Sequence, residues 1–177
     1  MLVVDGVLVA LLELALGDLV GTREPVGIYG GAPVQACGWP TAVSMEGACT
    51  GTLVHPRVVV YAQHCGTGYG SVWFGDTMNG TGRSVPTDFC TTYPSGGPGT
   101  GRDVAVCVLA EAVDDVEIVP PLMGCETSIL TQGRDVQIVG FGETDDGNYG
   151  IKYEATASFG HIDGNGEAFL GGGGVDT

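Results

Sequence analysis

The chain has 177 residues, 44% of them apolar, with 6 basic and 21 acidic side chains for a formal net charge of −15. That length fits one domain of ordinary size with a core of its own, and the apolar share excludes intrinsic disorder. The charge excludes nucleic acid as a partner, because binding it needs clustered Lys and Arg to displace counterions, and it excludes an anionic membrane surface.

In chain order, residues 1–20 (MLVVDGVLVALLELALGDLV) are hydrophobic enough for a targeting segment. They lack a basic n-region, and Asp5, Glu13 and Asp18 interrupt them. Residues 1–27 are therefore read as an N-terminal targeting or pro-segment: a degenerate signal, a pro-segment helix, or a misassigned start. From residue 28 the 32 glycines, with many Val and Thr, suit short strands joined by tight turns. Strands are predicted at Thr41 to Met45, Ala48 to Val54, Arg57 to Gln63, Ser71 to Phe74 and Ser84 to Cys90, with a hairpin turn at His55-Pro56. Tyr93 to Gly101 (YPSGGPGTG) is a loop, and Asp103 to Leu109 is an apolar strand expected to be buried. Pro120-Pro121 breaks the chain before strands at Asp135 to Gly140 and Tyr153 to Phe159, the latter alternating apolar and polar residues.

Six cysteines, none in C-x-x-C spacing, read as a disulfide framework of an oxidising compartment. Spacing alone leaves all fifteen pairings open. Asp163-Gly-Asn165-Gly-Glu167 begins like a calcium loop, but Ala168 and Gly174 stand where an EF-hand needs Gly and Glu. Gly140-Phe-Gly142 lacks the third glycine of a dinucleotide site. No metal site and no cofactor is expected.

Four segments carry chemistry together: Ile28-Tyr-Gly-Gly31; Cys49-Thr-Gly-Thr-Leu-Val54 with Tyr61-Ala-Gln-His64-Cys65; Asp103-Val-Ala-Val106; and Val136-Gln-Ile-Val-Gly-Phe-Gly-Glu-Thr144. In this order they resemble the trypsin-like (chymotrypsin-fold) serine proteases, whose members read I-V-G-G, C-G-G-S-L-I, T-A-A-H-C, D-I-A-L and V-x-G-W-G-x-T. The resemblance covers residues 28 to about 177. It implies an all-β fold of the trypsin-like Greek-key type, with a complete first barrel at about 28–125 and the first strands of a second at about 131–177.

The resemblance also implies roles. His64 is the general base, and Asp103, 39 residues later, orients it, fixes its tautomer and stabilises the imidazolium. A Cys49–Cys65 disulfide would pin the histidine's backbone and close a loop of 16 residues, worth about 3 kcal/mol in the chain-entropy model. Four cysteines then still allow three connectivities; Cys90–Cys107 and Cys37–Cys125 are the guesses, by elimination and because each pair could tie neighbouring strands. Ile28 is the candidate mature N-terminus, although Gly27 before it does not support a trypsin-like activating cut. Tyr29, Gln63 and Phe141 depart from the family's usual Val, Ala and Trp. No serine lies in G-D-S-G-G-P or between glycines able to form an oxyanion hole. The sequence ends at Gly174-Val-Asp176-Thr177, where the family's D-[ST]-C-x-G-D-S run would continue. The expectation is a chain stopping just before the nucleophile, with Asp176 at the base of the substrate pocket. The implied function is a secreted or extracellular, monomeric serine endopeptidase acting on protein or peptide substrates, this chain being inactive alone. The alternatives are a non-catalytic binding protein on the same fold, or a disulfide-rich extracellular β-domain in which His64 and Asp103 do not meet.

Overall fold

A computed structural model of the chain describes residues 2–4, 7–9, 28 and 30–171. It is all-β, with strands β1 (Leu2–Val4), β2 (Val7–Val9), β3 (Ala32–Pro33), β4 (Ala42–Met45), β5 (Cys49–His55), β6 (Val58–Tyr61), β7 (Ser71–Gly75), β8 (Gly82–Thr92), β9 (Ala105–Leu109), β10 (Asp135–Gly140), β11 (Tyr153–Ile162) and β12 (Ala168–Gly171). Two 3₁₀ turns, Gln63–Cys65 and Gly124–Ile129, complete the regular structure. Among the described residues no helix is long and apolar enough to cross a membrane.

Strands β4 to β9 close into a barrel in the order β4-β5-β6-β9-β8-β7. Closure leaves no free edge. β9 shows how the sequence builds it: Ala105, Cys107 and Leu109 are buried in the barrel, whereas Val106 and Val108 are only partly covered. The expectation of a wholly buried strand thus becomes an alternating one, as suits an antiparallel barrel wall. β4 is buried at all four positions, because its outer side meets β10.

β10, β11 and β12 form an open antiparallel sheet with a smaller core of Val136, Ala157, Phe159 and Ala168. β3 pairs with β11 through Ala32↔Glu154 and Pro33↔Tyr153. The other edge, on β10, is taken by β1, with Leu2↔Ile138 and Val3↔Gln137 in register, and β1 pairs in turn with β2. Residues 2–4 and 7–9 are strands, which corrects the helix alternative at those positions. Short apolar runs do not distinguish helix from buried strand, and the intervening Asp5-Gly6 is a hairpin signal. β12 is a further strand that the sequence reading did not place; the calcium-like Asp163–Glu167 run is the turn between β11 and β12.

Lys152, the only lysine, joins the two halves. Its side chain is 2% exposed. It donates to the carbonyls of Gly38 and Trp39 at 3.2 and 3.1 Å, and Trp39 Nε1 donates to Glu154 at 2.6 Å. Burial holds the Lys152 pKa below its ordinary 10.5.

Candidate active site

β6 and β9 pair with Tyr61 opposite Ala105. That register continues past the strand ends, where the Gln63 N–H donates to the Asp103 carbonyl at 3.2 Å. The chain leaving β6 turns at once into the 3₁₀ segment Gln63–Cys65, so His64 arrives beside the residue that precedes β9. The Asp103 carboxylate accepts twice from it: Oδ1 from the His64 backbone N–H at 2.8 Å, and Oδ2 faces Nδ1 at 2.5 Å. The Asp103 side chain is 1% exposed and that of His64 23%. In the tautomer whose Nδ1 proton is directed at the carboxylate, the lone pair lies on Nε2. A buried carboxylate is costly without partners; here both its oxygens have one on the same residue.

Three further features fix the turn. Cys49 and Cys65 form a disulfide spanning 16 residues. The Tyr69 hydroxyl donates to the Cys65 carbonyl at 2.8 Å and that of Tyr61 to the Gly66 carbonyl at 2.9 Å. The two rings pack edge to face at 5.5 Å between centroids. Burial, then the neighbouring Tyr69, pushes the Tyr61 pKa up to about 12; Tyr69 is raised as well, first by burial and then by Glu46 and Tyr149. No motif singles out either tyrosine; only the fold brings their hydroxyls to the carbonyls behind His64.

The second disulfide joins Cys90 and Cys107, directly opposed on β8 and β9. Cys37 and Cys125 are free and exposed, which corrects the Cys37–Cys125 pairing. Elimination carries no geometry, and a disulfide needs its Cα atoms within about 7 Å. The Cys37 backbone N–H is held by Asp76 at 3.0 Å, whereas Cys125 lies in the 3₁₀ turn between the two halves. Among the described residues the one group of metal-type donors is Cys49, His64 and Cys65. Its sulfurs are joined to each other, so neither offers the thiolate a metal needs.

Ile28 makes its contacts on the sheet side. It is 6% exposed, its N–H donates to the Glu143 carbonyl at 2.6 Å, and its side chain leaves no room for a Cβ at Gly31, which would approach it to 2.9 Å. Asp176 lies outside the described residues. His55 accepts the Arg57 N–H in a turn and His161 stacks on Phe169, so both have structural contacts of their own.

A family model described as Trypsin matches residues 28–161, well over half of the chain. No curated protein matches it.

Proposed function

Since the chain belongs to the trypsin-like serine protease family, we propose that it carries the base and orienter of a serine endopeptidase, His64 and Asp103. The observation behind this reading is the buried Asp103 carboxylate 2.5 Å from His64 Nδ1. In this reading His64 Nε2 takes the proton of an attacking serine hydroxyl as its oxygen bonds to the peptide carbonyl carbon. The imidazolium, stabilised by Asp103, returns that proton to the leaving amine as the C–N bond breaks. Water, deprotonated by the same nitrogen, then releases the acyl group. Substrates are proteins or peptides, and the two disulfides suit a secreted product.

The nucleophile, in this proposal, is not among the 177 residues, since no serine in them has flanking glycines to supply oxyanion donors. Asp176 is the pocket acid, favouring Arg or Lys because a buried carboxylate selects a cation, and Ile28 is the mature N-terminus. The test is hydrolysis of an arginine ester by the purified chain. No turnover above background is expected; turnover abolished by His64→Ala would overturn the missing nucleophile. In an active, longer polypeptide, cleavage after Phe or Leu unaffected by Asp176→Ala would remove the pocket assignment alone.

A further inference from the structure

Asp103 is reached through a glycine-rich loop. Residues 93–102 (YPSGGPGTGR) include four glycines, and glycine loses more freedom on ordering than any other residue. Such a loop does not by itself hold a carboxylate in place. We propose that Gln63 and Glu167 are positioning residues that clamp this loop from two sides and thereby hold Asp103 against His64. The proposal rests on the reading of His64 and Asp103 as base and orienter.

One side of the clamp comes from the barrel. Gln63, next to the histidine, donates from Nε2 to the Gly96 carbonyl at 3.0 Å. The approach is close enough that a Cβ on Gly96 would lie 2.4 Å from Gln63 Oε1 and 2.0 Å from the Arg102 carbonyl. The family's usual alanine at Gln63 could not make this contact, since it has no donor.

The other side comes from the open sheet. Glu167, at the turn between β11 and β12, accepts the Gly101 N–H at 2.9 Å, two residues before Asp103. Its neighbour Asn165 reaches the Gly99 carbonyl at 3.5 Å. A Cβ on Gly101, whose φ is +65°, would lie 1.7 Å from the Asn165 carbonyl oxygen. The turn is itself braced, because Asp163 accepts the N–H groups of Asn165 and Glu167 at 2.8 and 2.9 Å.

The test is proton NMR of the 177-residue chain, following the low-field His64 Nδ1–H signal and its exchange with water. The Val59 amide, in the barrel wall, reports overall stability. Glu167→Ala and Gln63→Met are each expected to speed Nδ1–H exchange about fivefold, the factor corresponding to one lost hydrogen bond, with Val59 unchanged. Glu167→Gln keeps an oxygen for the Gly101 N–H and is expected to restore the wild-type rate. If Glu167→Ala also accelerates Val59, Gln63→Met decides alone. Unmoved Nδ1–H exchange in the variants overturns the clamp while leaving the His64–Asp103 reading intact. A wild-type chain without the low-field signal removes that reading, and the clamp with it.

Discussion

The barrel and the sheet are made from similar strands and held in different ways. The barrel closes on itself and buries a cluster running from Val43 and Met45 through Leu53 and Val59 to Leu109. Both disulfides tie strands or turns of the barrel. The sheet is open, its buried cluster is Val136, Ala157, Phe159 and Ala168, and its β10 edge is covered by β1. His64 and Asp103 both belong to the barrel, at the end of one strand and the start of its neighbour. Among the described residues, the sheet meets the loop that precedes Asp103 where the Glu167 turn holds Gly101. Precision comes from the closed part, where the geometry is over-determined, while the open part bears on it through single contacts.

The largest effect is expected in the barrel core. Leu53 is 0% exposed, and Leu53→Ala is expected to lower unfolding stability by about 2–5 kcal/mol, measured by urea denaturation. Phe159→Ala, in the sheet, is expected to accelerate amide exchange in β10, β11 and β12 while leaving β6 and β9 protected, as suits a separately opening unit. Equal acceleration throughout would show that the two regions unfold as one.

Removing the Cys49–Cys65 disulfide by double substitution to serine is expected to cost about 3 kcal/mol, read from urea denaturation with midpoint and slope both fitted. Loss of the His64 Nδ1–H signal at pH and temperature where the barrel stays folded would show that the bridge also holds the histidine.

A smaller effect is expected of Tyr61→Phe, about 0.5–1.5 kcal/mol for the hydrogen bond to Gly66. It also carries a pH signature. The folded chain keeps the Tyr61 proton up to about 12, whereas an unfolded tyrosine loses it near 10. The contribution is therefore whole below pH 10 and lost as pH rises from 10 to about 12. Stability measured across that range should fall less steeply in Tyr61→Phe than in the wild type.

The smallest and most diagnostic change concerns the bridge between the halves. Lys152 has a pKa lowered by burial below 10.5. Just below that value the unfolded chain binds more protons than the folded one, so stability rises as pH climbs through the window toward 10.5. Lys152→Met should abolish this rise; an unchanged slope would mean that the ammonium is not held in the interface.

Much of the barrel is legible in the sequence, because its strands alternate between a filled interior and a partly covered exterior, and Gly, Pro and Asp punctuate them. His64 and Asp103 are legible from flanking patterns rather than from themselves: a histidine beside a cysteine after a valine-rich run, and an aspartate opening an apolar strand. Glu167, Gln63, Tyr61 and Tyr69 are not, since their roles depend on which backbone groups the fold brings within 3 Å. β12 (AFLG) is short and follows a turn rich in Asp and Gly, so composition reads it as loop. β1 and β2 are apolar runs whose strand state follows from an available sheet edge, a tertiary fact. Cys37 and Cys125 show the limit of counting: an even number of cysteines does not require that all of them pair.

The roles proposed for His64 and Asp103 are those of base and orienter of a serine endopeptidase. Their most direct test is peptide-ester hydrolysis by a longer polypeptide that contains these residues, comparing His64 with His64→Ala. Hydrolysis is expected of the first and a loss of roughly 10⁴- to 10⁶-fold in kcat of the second; equal rates in the two would contradict the proposed roles.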